Sequence, residues 1–170
     1  IGQAFPYSTI ANPRYFVPDW SYGIQEENLQ TTITEARGKG AQVVVLLSHN
    51  GMDVDLKLAS RVSGLDAILG GHTHDGIPAP IPVKNAGGVT LVTNAGSNGK
   101  FLGVLDFDVK GGKVVDYRYK LLPVFANMLP ADKEMDALIT KIRAPYESKL
   151  SEQLAITEGL LYRRGNFNGT

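Results

Sequence analysis

The three histidines of this chain occupy two short motifs. His49 lies in Ser48-His49-Asn50-Gly51, and His72 and His74 lie in Gly70-Gly71-His72-Thr73-His74-Asp75. Each motif directly follows a short apolar run, the place where an α/β sheet collects its ligands, just beyond the carboxyl ends of parallel strands. Neutral imidazole is the commonest side-chain ligand for a transition metal. Two rings at i and i+2 project to one side if the backbone between them is extended, and flanking glycines permit a sharp turn that brings them together. The bland alternative is a satisfied turn or capping histidine after each strand. The placement of every histidine at strand ends favours metal, so His49, His72 and His74 are the predicted ligands. Three imidazoles alone would suit one zinc ion with an open fourth position.

The other polar candidates carry less. Asp53 and Asp55 open a helical stretch and are expected to complement its dipole, while Asp66 is expected to fix a strand end. Asn50 and Asp75 are the expected supports behind the ligands, Asp75 by orienting a histidine from outside the metal shell. Arg163 and Arg164, followed closely by Asn166, form a cluster able to bind a substrate oxyanion, since guanidinium pairs with such groups bidentately; solvated or structural ion pairs are the competing reading. Asn94, Ser97, Asn98 and Lys100 lie on a glycine-rich loop whose expected role is backbone support. No residue of the chain is identified as the catalytic acid or base.

These motifs need elements to hold them. The pattern predicts a helix over 25–39, where Leu29, Ile33 and Ala36 recur at helical spacing. A buried strand over 41–48 leads into His49, and a helix over 52–63 leads on to a strand over 67–69 that ends at the second motif. Strand, helix and strand with short connections predict a parallel pair in an α/β unit. The remainder reads as antiparallel: a strand over 89–93, then a hairpin of 101–109 and 114–122 joined at Gly111-Gly112. Residues 1–23 read as an irregular loop broken by Pro6, Pro13 and Pro18, with Tyr7, Tyr15, Phe16 and Trp20 expected to pack rather than to form a docking surface. Residues 130–150 read as a charged amphipathic helix broken near Pro145, with Met135, Leu138, Ile139 and Ile142 on one face. The predicted organisation is a half-domain over 1–125, a linker helix over 126–150 and the start of a second α/β domain over 151–170. Both ends of the chain look cut.

Composition narrows the function classes. The chain has 170 residues, 43% hydrophobic and 20% charged, with a formal net charge of zero, an ordinary globular balance without the basic clusters that nucleic acid requires. No apolar run approaches the roughly 18 residues of a membrane span. The absence of cysteine excludes disulfides, thiolate metal sites and a cysteine nucleophile.

Ser-His-Asn-Gly, then Gly-Gly-His-Thr-His, then Thr93-Asn94-Ala95-Gly96-Ser97-Asn98-Gly99-Lys100 together resemble the second half of the calcineurin-like metallophosphoesterase domain in the 5′-nucleotidase family. The resemblance implies a four-layer αββα sandwich and two metals, with His49 and His72 on one ion and His74 on the other. Most of that family carries glutamine where this chain has His74. Longer segments, IGQAFPYSTIANPRYFVPDWSYGIQ, GGHTHDGIPAP and LYRRGNFNGT, resemble more specifically the SoxB family, the sulfate thiol esterases of the periplasmic sulfur-oxidising system. That resemblance runs the length of the chain. It implies a dimanganese site, zinc or iron being chemically compatible, periplasmic localisation, and a sulfur-carrier protein (SoxYZ-like) whose cysteine-bound S-sulfonate is cut to release sulfate during thiosulfate oxidation.

Two divalent ions about 3.5–4 Å apart can activate water and clamp a tetrahedral oxyanion, and sulfuryl and phosphoryl groups share that shape. The acid histidine and bridging aspartate of the family have no counterpart in this chain, so the polypeptide alone is expected to be inactive and to bind metal poorly. Two other functions compete with a sulfur-metabolism hydrolase: a 5′-nucleotidase or other phosphoesterase of the same fold, and a metal-free binding module with structural histidines. His72→Ala separates the last, because a structural histidine costs stability whereas a ligand costs metal.

Overall fold

A computed structural model describes residues 1–161. The chain forms two compact units, Ile1–Ala126 and Asn127–Thr170, taken separately below. In order, the first unit contains β1 (Gly2–Gln3), α1 (Ser8–Ala11), a 3-10 turn (Arg14–Phe16), α2 (Glu26–Gly38), β2 (Val45–Ser48), α3 (Met52–Arg61), β3 (Ala67–Gly70), β4 (Ile81–Asn85), β5 (Gly88–Asn94), β6 (Phe101–Lys110) and β7 (Lys113–Pro123).

The main sheet runs β1-β2-β3-β5-β4. Its β1, β2, β3 and β5 are mutually parallel neighbours, and β4 is antiparallel to β5. This mixed α/β arrangement agrees with the predicted class. Register explains the core: Leu46, Ile68 and Val92 align across three strands, and all three are fully buried. Leu29 and Ile33 of α2 join Leu58 and Ala59 of α3, with Val62 just beyond it, in one cluster with them. Each large aliphatic side chain so buried contributes about 1.5–3 kcal/mol. Because strand side chains alternate between faces, Leu47 and Leu69 fall on the opposite face, where they are exposed.

The strand into His49 is shorter than the apolar run suggests. Ahead of Val45, side chains from elsewhere take the backbone groups that a ladder would use: Arg37 donates to the carbonyls of Ala41 and Gln42, and the Val44 amide donates to the Asp66 carboxylate at 2.7 Å. Asp66 thus fixes a strand end, as expected. The strand over 89–93 belongs to the parallel set through β3 as well as to an antiparallel pair with β4. That second partner contains Pro82, which is tolerated because β4 is an edge strand. The hairpin β6–β7 forms as predicted. Gly111 and Gly112 both have positive φ (58° and 76°), which a primed two-residue turn demands. The Thr93 hydroxyl donates to Tyr119 Oη at 2.9 Å, and Tyr119 Oη donates to the Ile77 carbonyl at 3.2 Å, tying β7 to the end of β5.

The second unit contains α4 (Lys133–Arg143) and α5 (Glu147–Leu150). Asp132 caps α4 by accepting from the Met135 amide at 2.8 Å. The helix breaks at Ala144–Tyr146, as expected near Pro145, which has no amide hydrogen to continue the ladder. Met135, Leu138, Ile139 and Ile142 of α4 are all exposed.

Candidate metal centre

His49 follows the last residue of β2, and His72 follows β3 after one further glycine. Parallel pairing of these strands therefore delivers both motifs to the same sheet edge. The His49 and His72 rings lie with centroids 5.3 Å apart and planes at 57°. Phe5 stands beside both, 5.7 Å from His49 and 4.7 Å from His72, and Tyr7 lies 6.1 Å from His72. The His49 amide donates to the Gln3 carbonyl at 3.2 Å, so β1 fixes this loop from the other side. All three histidines are exposed at the surface. Neighbouring accessible imidazoles beside an aromatic wall suit a divalent ion, since such a pair offers neutral nitrogen donors without a buried charge.

Among the described residues, no group of three or more His, Cys, Asp or Glu is arranged to hold one metal ion. His49 and His72 come together, and His74 does not join them in such a group. The same-side argument assumed an extended backbone, but His72 and His74 adopt left-handed conformations with φ of 76° and 60°. Such φ values are uncommon outside glycine, and strain of this kind concentrates at functional sites.

The glycines of the second motif also act differently from expectation. Gly70 and Gly71 supply space rather than a left-handed turn. A Cβ on Gly70 would lie 2.7 Å from Asp55 Oδ2, and one on Gly71 would lie 3.3 Å from the Ser48 carbonyl and 3.4 Å from His49 Nδ1. The absence of a side chain at Gly70 makes room for Asp55, and at Gly71 it lets the second motif approach the His49 loop closely.

Asp55 is the largest departure from the sequence reading. Its carboxylate does not face solvent at the start of α3; it is fully buried. Oδ1 accepts from Ser48 Oγ at 2.6 Å and from Asn50 Nδ2 at 3.1 Å. Burial pushes its pKa above the ordinary 3.8, against the pull of those two hydrogen bonds. Asp53 stays exposed. Asn50 is 2% exposed and also donates to Gln3 Oε1 at 3.3 Å. Asn94, expected only to support a loop, is buried beside Gly70. Asp75 orients no imidazole: its Oδ2 accepts from Thr73 Oγ1 at 2.5 Å, and Thr73 Oγ1 in turn accepts from the Met52 amide at 3.1 Å, joining the second motif to α3.

Ser97 and Lys100 close a turn at 3.1 Å, and Asn98 takes a left-handed φ of 56°, a conformation asparagine tolerates. Tyr15, Phe16 and Trp20 are 74%, 63% and 64% exposed; Tyr15 and Phe16 meet edge to face at 4.7 Å, and Tyr7 packs against Phe5 and His72. Arg163, Arg164 and Asn166 lie outside the described residues.

Comparison with known proteins defines the class. The chain belongs to the 5′-nucleotidase family of metallophosphoesterases, a family of hydrolases, and within it is SoxB-like. It is similar to sulfate thiohydrolase SoxB of Thermus thermophilus at a TM-score of 0.86 and 38% identity, over 96% of this chain and 30% of that one. It is also similar to a 5′-nucleotidase precursor of Thermus thermophilus, at a TM-score of 0.70 and 30% identity over 79% of this chain and 29% of that one. Among curated sequences, the 5′-nucleotidase of Bos taurus is 27% identical over 145 residues, 76% of this chain and 25% of the relative. The chain therefore spans a third or less of the length of these relatives. No protein-family model matches it. No helix among the described residues is long and apolar enough to cross a membrane.

Proposed function

We propose that the chain supplies part of a two-metal site in a hydrolase that releases sulfate from a cysteine-bound S-sulfonate on a SoxYZ-like carrier protein, in the periplasm. The observation that carries this reading is the similarity to SoxB over nearly the whole chain, coinciding with the paired His49 and His72 rings. His49 and His72 hold one divalent ion, manganese on the SoxB resemblance, and His74 belongs to the second. When bound, the ions supply Lewis-acid activation and charge stabilisation. The chain itself contributes ligand orientation: Phe5 walls the pair, and the packed glycines hold the two loops together. Arg163, Arg164 and Asn166 are assigned to substrate oxyanion binding, and Asn50 supports the His49 loop. Residues 1–125 form the second half of the phosphoesterase domain, 126–150 a linker, and 151–170 the beginning of a substrate-binding domain.

A 5′-nucleotidase activity is the second reading, favoured by similarity to the bovine and Thermus nucleotidases. Assay of the intact protein against AMP and against a peptide bearing cysteine S-sulfonate separates the two. The proposal expects sulfate release from the peptide and little phosphate from AMP; preferential hydrolysis of AMP would overturn it. His49→Ala and His72→Ala are each expected to abolish sulfate release while the protein stays folded.

A further inference from the structure

We propose that Asp55 is a positioning residue that holds His49 and His72 at their mutual spacing, an inference that rests on the reading of these two residues as ligands. Ser48 and Asn50 flank His49 in the chain, and the side chains of both donate to the same oxygen, Asp55 Oδ1, at 2.6 Å and 3.1 Å. The Asn50 amide also donates to Ser48 Oγ at 3.2 Å. The loop that presents His49 is thereby closed around one carboxylate.

The other carboxylate oxygen reaches the His72 loop. Asp55 Oδ2 lies 2.7 Å from where a Cβ on Gly70 would sit, and it has no hydrogen-bond partner. Gly70 opens the motif that carries His72, and the next residue, Gly71, packs on the Ser48 carbonyl and the His49 ring. One side chain thus contacts residues on both sides of His49 and lies against the base of the His72 loop. It does so from α3, whose first turn is also fastened to that loop through Thr73.

A carboxylate is an unusual choice for a scaffold. A fully buried charge is costly unless it is compensated, and an apolar residue at this place in α3 would fill the core without that cost. What an apolar residue cannot do is accept from Ser48 and Asn50 together, and ligand-orienting shells of this kind govern metal affinity.

The test is Mn2+ titration of the full-length protein, with each variant first shown by circular dichroism to be folded at the working temperature. Asp55→Leu, which removes the shared acceptor, and Ser48→Ala are each expected to weaken Mn2+ binding roughly 10–100-fold. Ala59→Gly, which disturbs the buried face of the same helix one turn further on, is expected to lower the melting temperature and leave Mn2+ affinity unchanged. If Asp55→Leu does not fold, Ser48→Ala decides the question. The proposal is overturned if a folded Ser48→Ala or Asp55→Leu protein binds Mn2+ as tightly as the unsubstituted protein while His49→Ala loses it, or if Ala59→Gly weakens binding equally. Should His49→Ala itself bind Mn2+ normally, the ligand reading fails and this inference falls with it.

Discussion

At the scale of single residues, the backbone of the second histidine motif is the most informative feature. His72 and His74 hold left-handed φ values that an L-residue adopts at a cost of about 1–2 kcal/mol. Such a cost persists only where the imidazole itself is wanted or the surrounding structure fixes the loop. Replacement of His74 by alanine keeps the strain, whereas replacement by glycine relieves it. Glycine also adds freedom to the unfolded chain, worth about 0.4–1 kcal/mol in the opposite direction. Relief of strain outweighs that added freedom, so His74→Gly is expected to be more stable than His74→Ala by about 0.5–1 kcal/mol. Urea unfolding of the two variants checks this, and equal midpoints would show that the loop relaxes out of the left-handed region once the ring is gone.

At the scale of elements, a half-buried ionic cluster sets where α2 ends and β2 begins. Arg37 in the last turn of α2 donates to the carbonyls of Ala41, Gln42 and Gly64 and pairs with Asp66 at 2.5 Å. Its donors point in several directions at once, a geometry that the compact ammonium of lysine does not reproduce. Arg37→Ala leaves Asp66 and several carbonyls short of partners, with an expected loss of about 2 kcal/mol. Arg37→Lys is expected to recover less than half of that loss in thermal or chemical unfolding. Full recovery would mean that charge alone matters there.

The same elements explain what the sequence disclosed. β2, α3 and β3 were legible because unbroken β-branched runs alternate with helical spacing, and the position of His49 and His72 at parallel strand ends followed directly. The two residues of β1 are too few to show a period, and Pro82 masks β4. Burial of Asp55 depends on Ser48 and Asn50 approaching from another strand end, whereas the local pattern, an acid in the first turn of a helix, has an adequate surface explanation. The left-handed backbone at His72 and His74 was hidden for a related reason: in a motif rich in glycine, spacing alone leaves the backbone between the two histidines undetermined.

At the scale of the whole molecule, the two compact units differ in how they are stabilised. The first contains every residue of the hydrophobic cluster, from Leu29 to Val92. The second, over residues 127–161, buries none of its side chains, and the apolar row of α4 is exposed at 48–60%. An isolated helix of this length is marginal in water because nucleation is unfavourable and few hydrogen bonds follow it. The Asp132 cap and the Arg143–Glu147 pair add only about 1 kcal/mol and 0.3–0.5 kcal/mol respectively. Amides in β2, β3 and β5 therefore open only with the core, whereas those of α4 open locally. Hydrogen exchange on the 170-residue chain is expected to show α4 fully exchanged while the central strands remain protected. Protection of α4 equal to that of β3 would show that its apolar row is covered in solution.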